Sequence, residues 1–227
     1  MNADWGAIFD WDGVIVQSEA AHEESWIRLG KELGLDSPEG HFRIGFGRKN
    51  EYIIPNILHW SHDPDEILRI SLRKEALYRE IVAERGVEAL PGVITWLQCL
   101  ADAGVPCVIG SSTHRANIDQ LLGLTGIGHF FQGIISAENV TEGKPHPDVF
   151  LKCAALIGRA PSRCVVHEDA FVGIEAAHRG GMKAIGVATT HPLAELGGAD
   201  HAVTRLDELT TDFVRALLTS SPTRTVG

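Results

Sequence analysis

The sequence is poor in the features that mark several protein classes. Its 227 residues include four cysteines, two methionines and two tyrosines, and aromatic residues make up only 7%. Cys99, Cys107, Cys153 and Cys164 show no CxxC spacing and lie inside apolar runs. That pattern argues against a disulfide scaffold or a zinc ribbon and for buried free thiols in a reducing cytoplasm. Basic charge is also scarce, with 20 Lys and Arg against 30 Asp and Glu and a net charge of −10. Nucleic acid and anionic membrane surfaces are therefore poor partners. No apolar stretch reaches the ~20 residues that a membrane-spanning helix needs. Met1–Asp4 runs straight into an apolar segment, so no signal peptide is expected. Internal repeats and low-complexity segments are missing as well.

What is present reads as a globular α/β chain. Hydrophobic residues make up 44% and charged residues 22%, enough for one domain with an insertion or for two small domains. A first strand is expected from about Trp5 to Asp10. Helical spacing follows at His22, Trp26, Leu29 and Leu33, with Gly34 as a stop. Ile53, Ile54, Ile57 and Leu58 continue the pattern after a Gly45-Phe46-Gly47 turn. Asp63-Pro64 opens a long helix through Ile67, Leu68, Leu72, Ala76 and Tyr78. From Leu90-Pro91-Gly92 onward, strands and helices alternate. The strands are expected at Pro106–Gly110, Gly133–Ser136, Cys164–His167, Lys183–Val187 and His201–Val203, ahead of a frayed tail at Ser220–Thr223. Continuous apolar strands between helices imply a Rossmann-like, doubly wound parallel sheet with helices on both faces. Residues 1–15 and 89–227 would form this core, and residues 16–88 an inserted all-helical cap.

In such sheets ligands gather at the carboxyl ends of the strands. The first strand ends in Asp10-Trp11-Asp12-Gly13, the second in Ser111-Ser112-Thr113 and the fourth in Glu168-Asp169; Gly143-Lys144-Pro145 follows the third. Each group has an ordinary explanation. Asp-Gly is a turn sequence, Ser111 and Glu168-Asp169 can cap helices, and a lysine in a Gly-Pro loop is commonly exposed. Two carboxylates crowded together nonetheless repel by about 4 kcal/mol at ~4 Å and an effective dielectric near 20. A chain keeps such a pair where a cation neutralises it or one group stays protonated. His59-x-x-His62 offers only two zinc ligands and reads as surface histidines.

Asp10-x-Asp12-Gly13-Val14, Ser111, Lys144-Pro145 and Glu168-Asp169 with Gly173-Ile174-x-Ala176-Ala177 resemble, in order and spacing, the haloacid dehalogenase superfamily of phosphoryl-transfer enzymes. The resemblance covers nearly the whole chain and is nearest the β-phosphoglucomutase-like branch, with its many sugar-phosphate phosphatases. It implies a Mg2+-dependent enzyme acting on a small phosphorylated metabolite. Asp10 would be the nucleophile that forms an aspartyl-phosphate, and Asp12 the general acid and then base. Ser111 and Lys144 would hold the transferring phosphoryl oxygens. Asp10, Asp169, the Asp12 carbonyl and Glu168 would provide oxygen ligands for magnesium. Dehalogenases lack the second aspartate, and phosphonate-cleaving members carry a small residue there, so Asp12 favours phosphate esters.

The resemblance also makes Gly13, Ser112, His22, Arg48, Lys74, His114 and Arg115 candidate substrate-binding residues. Trp26 reads as core by its place on the apolar stripe, while Arg48 and Lys74 suit an exposed role as well as a ligand role. The Thr113–Asn117 stretch lacks the lysine usual in mutases, Gln17 replaces a common acidic residue, and Ala170 replaces a frequent serine. A phosphatase is therefore favoured over a mutase, and a non-catalytic binding protein is the remoter alternative, since no catalytic position is broken. A monomer or weak homodimer is expected.

Overall fold

The computed structural model describes residues 3–220, so the end at Ser221–Thr223, part of the expected frayed tail, lies outside it. The apolar runs pair into one six-stranded parallel sheet in the order β3-β2-β1-β4-β5-β6. The strands are β1 (Gly6–Phe9), β2 (Cys107–Gly110), β3 (Phe131–Ile135), β4 (Cys164–Glu168), β5 (Lys183–Val187) and β6 (His201–Val203). Chain direction across the sheet reverses between β1 and β4, which is where a doubly wound sheet opens a crevice at its carboxyl edge.

Alternation along β1 shows why its residues are apolar on both faces. Ala7 and Phe9 pack on one side with Trp96, Leu97, Ile118 and Leu121, from α5 (Val93–Asp102) and α6 (Arg115–Thr125). Ile8 packs on the other with Phe150, Cys153, Ile174 and Ala177, from α7 (Asp148–Leu156) and α8 (Phe171–Arg179). Both faces are covered, as a parallel sheet requires. Three cysteines are buried as expected. Cys99 is exposed instead, because it sits on α5 away from the face formed by Val93, Trp96, Leu97 and Leu100. A last helix, α9 (Thr211–Thr219), was not anticipated; its N-cap Thr210 accepts from the Phe213 amide.

Between β1 and α5 the chain is helical: α1 (Glu19–Leu33), α2 (His41–Gly45), α3 (Asn50–Ile53) running into a π-helical turn at Ile54–Leu58, and α4 (Pro64–Arg85). Gly34, at φ +67°, ends α1, and Asp63 caps α4 by accepting from the Glu66 amide at 2.9 Å. These helices share an apolar cluster of their own, containing Trp26, Leu29, Ile53, Ile54, Ile57, Leu58, Ile70 and Leu77.

The buried face of α4 is not the expected one. Leu68 and Leu72 are each 52% exposed, while Ile70, Lys74, Leu77, Tyr78 and Ile81 point inward. Lys74 and Glu75 are charged yet buried, so they mask the true stripe in an apolar-periodicity reading. The reason is a polar junction. Glu75 accepts from Asn50 Nδ2 (2.6 Å), from Lys74 Nζ (3.0 Å) and from Asn117 Nδ2, and Asn117 Oδ1 accepts from Arg79 Nη1 (2.9 Å). Through Asn117 of α6 this network ties the helical segment to the sheet domain.

Two outcomes follow for stability. Leu77→Ala should cost about 2–4 kcal/mol and Leu72→Ala less than about 0.5 kcal/mol, as read by urea denaturation. Burial works to raise the Glu75 carboxyl, but Lys74, His22, His114 and the Asn50 amide hold it down, at about 2. A folded pKa below the ordinary ~4.3 gives stability that is present above that value and lost as pH falls toward 2. Wild type should therefore lose more stability than Glu75→Gln between pH 6 and pH 3; equal losses would contradict the network.

Candidate functional site

Asp10 follows β1, Ser111 follows β2, Lys144 lies in the loop after β3, and Glu168 and Asp169 close β4. All five are buried and meet at the carboxyl edge of the sheet. Asp10 Oδ1 lies 2.8 Å from Lys144 Nζ as an ion pair, and Lys144 donates to Glu168 Oε1 at 2.6 Å. Glu168 Oε2 accepts from the Ala170 amide at 2.8 Å. One oxygen from each of Asp10, Glu168 and Asp169 falls within 4.8 Å of the others. The Asp12 carboxylate stands apart from this cluster.

Two glycines make room for the carboxylates. Gly13 has φ +76°, and a Cβ there would overlap Asp169 Oδ2. A Cβ on Gly173 in the first turn of α8 would overlap Glu168 Oε1. The motif's glycines are thus explained by close approach to acidic oxygens.

Charge in the cluster is unbalanced. Fully ionised, three carboxylates face one ammonium and leave a net charge of −2. Burial pushes the Asp10 carboxyl up to about 7 against the pull of Lys144, with Glu168 and Asp12 adding to the rise. Burial, Glu168 and Asp10 likewise raise Asp169 well above its ordinary value. Lys144 is raised despite burial, because Asp10 and Glu168 favour its charged form. Among the described residues Asp169 Oδ1 is buried without a hydrogen-bond partner. An all-oxygen donor set with two uncompensated negative charges and an orphaned carboxylate oxygen fits a hard divalent cation.

Asp12 has a different environment. Its Oδ1 accepts from Ser18 and faces His22 Nε2 at 3.1 Å, and its Oδ2 accepts from Thr113. Burial acts to raise this carboxyl, yet His22 and the two hydroxyls outweigh it and hold it well below the usual carboxylate range. His22 stacks on Tyr78 at 4.0 Å, and its Nδ1 receives the Lys74 ammonium at 2.7 Å. An ammonium only donates, so Nδ1 is the acceptor and Nε2–H points to Asp12. Two neighbouring aspartates are thus placed in opposite states: one crowded by carboxylates, the other saturated by donors. Environments that drive acids apart in this way suit paired chemical roles.

His167 supports the strand end from behind. Trp96 donates its indole N–H to His167 Nε2 at 3.1 Å, and His167 Nδ1 donates to the Ile8 carbonyl at 3.1 Å. Burial lowers its pKa to about 4, so it remains neutral and fixes β1 against β4.

Asp10 and Asp12 form the floor of a cleft of about 600 Å3, including its open mouth. Ser111, Ser112 and Thr113 line the sheet side; His22, Trp26, Arg48, Lys74 and Glu75 line the helical side with His41, Phe42 and Phe46. Several expected contacts are already engaged. Ser112 donates to the Gly47 carbonyl at 2.9 Å, and Arg48 lies 4.5 Å over the Tyr52 ring. Lys74 is paired with Glu75 and His22. His114 and Arg115 do not line the cleft: His114 faces Glu138 and Ser71, and Arg115 pairs with Asp119 on the exposed side of α6.

Sequence reasoning named Thr113 only as a strand-end residue and passed over Ser18, Asn50, Glu75 and the Thr189-Thr190-His191 run. Only the last left a signal: it follows β5 at the same carboxyl edge, and applying the strand-end test to the fifth strand finds it.

A family model for haloacid dehalogenase-like hydrolase matches residues 6–181. The chain is 37% identical, over 213 residues, to the chloroplastic 5-amino-6-(5-phospho-D-ribitylamino)uracil phosphatase of Arabidopsis thaliana, covering 92% of this chain but only 57% of the plant protein. It is 32% identical over 188 residues to a fructose-1-phosphate phosphatase of Escherichia coli, covering 80% of this chain and 95% of that protein. A crystal structure of β-phosphoglucomutase from Clostridium difficile superposes with a TM-score of 0.84 at 24% identity, covering 95% of this chain and 97% of the other, and shows the same fold. The chain belongs to the haloacid dehalogenase-like hydrolase family.

Proposed function

We propose that the protein is a magnesium-dependent phosphatase of small phosphorylated metabolites, with residues 16–88 acting as a cap over the core formed by residues 1–15 and 89–227. The observation that carries this reading is the contrast between Asp10, held among carboxylates and one lysine, and Asp12, held among donors beneath the helical segment. Asp10 attacks phosphorus while the bond to the leaving oxygen breaks, giving an aspartyl-phosphate. Asp12 enters this half-reaction protonated and hands its proton to the leaving oxygen. It ends ionised, the state in which Ser18, His22 and Thr113 hold it here. As a base it then takes a proton from the water that attacks the aspartyl-phosphate, which frees phosphate and restores both carboxyls. Lys144 and Ser111 hold phosphoryl oxygens as charge develops. Asp10, Asp169, the Asp12 carbonyl and Glu168 would hold magnesium, which would supply the positive charge that lets a carboxylate approach a phosphate anion.

A phosphatase is favoured over a mutase by the cations of the cleft. A mutase must hold a second, non-reacting phosphate against the cap. Lys74 is already neutralised by Glu75, which leaves Arg48 as the remaining cationic side chain on that wall. The half-buried Phe42 and Phe46 give the same wall an apolar patch. Sugar phosphates and phosphorylated polyols are the substrate class, supported by the names of the bacterial and plant relatives. The four free cysteines support a cytoplasmic setting, and a monomer or weak homodimer suffices for the site.

With a generic aryl phosphate, Asp10→Asn should lower kcat by at least about 10^3. Chelation of magnesium should abolish turnover, and re-addition should restore it; wild-type levels in Asp10→Asn would rule out the nucleophile. In a separate assay, β-glucose 1-phosphate with a trace of β-glucose 1,6-bisphosphate should release inorganic phosphate without accumulating glucose 6-phosphate. Accumulation of glucose 6-phosphate would favour the mutase.

A further inference from the structure

The loop after β5 carries three consecutive residues that each hold a different part of the site. Thr189 donates its hydroxyl to the Gly13 carbonyl, Thr190 donates to Asp169 Oδ2, and His191 Nδ1 lies 3.0 Å from the Asp169 carbonyl. A carbonyl only accepts, so His191 donates from Nδ1. Its ring is buried and packs against Phe171 at 4.2 Å, which fixes its position. Asp169 is therefore bound at its backbone by one residue and at its side chain by the preceding one. Of its two carboxylate oxygens, Oδ2 is occupied by Thr190, and Oδ1 is buried without a partner. Gly13 packs against the same pair: a Cβ there would lie 3.0 Å from Thr190 Oγ1 as well as overlapping Asp169 Oδ2.

We propose that Thr189-Thr190-His191 is a positioning clamp, in which the Thr190 hydroxyl turns Asp169 so that Oδ1 alone is presented to a divalent cation. This rests on the metal-dependent reading above. The division of labour within the clamp follows from its partners. Thr190 sets the rotation of the Asp169 carboxylate, His191 sets its backbone, and Thr189 ties the Asp12-Gly13 turn to the same loop. The carboxylate just after β4 and the turn after β1 are thereby held in register by the loop after a third strand, β5, which contributes no ligand. Residues that orient metal ligands commonly change metal affinity about 10–100-fold when lost. An unclamped Asp169 could rotate either oxygen toward the cation or away from it, and binding would then have to pay the entropy of fixing one orientation.

Magnesium affinity of the full chain, measured by isothermal titration calorimetry without substrate, tests the clamp directly. Thr190→Val keeps the shape and removes the donor; Thr190→Ser restores the donor. Magnesium binding should weaken at least about 10-fold in Thr190→Val and recover to within about threefold in Thr190→Ser, with the melting temperature of the metal-free protein little changed. Unchanged affinity in Thr190→Val overturns the clamp. So does an equal loss in both variants, which would assign the position to packing; if Thr190→Val does not fold, a loss in Thr190→Ser does the same, and retained affinity there supports the hydroxyl. Asp169→Asn separates the two readings. If it binds magnesium like wild type, the metal site itself is misassigned. If it loses magnesium while Thr190→Val does not, only the clamp fails.

Discussion

Like charges gathered around a single buried lysine set the terms for the rest of the structure. Asp10, Glu168 and Asp169 converge where burial opposes ionisation, and Lys144 compensates only one of them. Left alone, such a cluster is a liability, because a buried unpaired charge costs several kcal/mol. The surrounding fold is shaped to keep it. Glycines at positions 13 and 173 admit the carboxylate oxygens, the Ala170 amide binds Glu168, and the β5 loop binds Asp169. Two strands adjacent in space but separated by most of the chain supply the acidic residues, which is what the reversal of strand order between β1 and β4 makes possible.

Asp12 shows the complementary strategy. Only two residues from Asp10, it is surrounded by donors that favour its ionised form. Two of its three hydrogen-bond partners, Ser18 and His22, come from the helical segment, and the third, Thr113, comes from the sheet domain. The charge state of Asp12 is thereby coupled to the placement of the helices over the cleft. The Glu75–Asn117 junction is the second polar tie between the same two parts. Both ties are buried and satisfied, so they define a position for the helices more sharply than apolar contact alone would.

The strand-end reading recovers the sheet and the groups at four of its edges because a parallel strand buried on both faces is a continuous apolar run, and its end is abrupt. Asp10, Ser111, Lys144, Glu168 and Asp169 were legible for that reason. The α4 face was misread, since Lys74 and Glu75 are buried by pairing with each other, with His22 and with Asn117. Periodicity assigns charged residues to solvent, and nothing local announces a partner about forty residues away. Arg115 and His114 are substrate-binding candidates by the resemblance, but at the start of α6 they face Asp119 and Glu138 and do not line the cleft.

By itself the sequence determined the class of fold, the segment in which the helices are inserted and the chemical types of the groups at the sheet edge. Those follow from local pattern: apolar period, turn residues and the order of motifs. Only the tertiary structure decided how the two aspartates differ, which oxygen of Asp169 is left free, and that Lys74 is already neutralised. Each of these depends on contacts between residues far apart in the chain, where burial and partner geometry, rather than residue type, set the charge state.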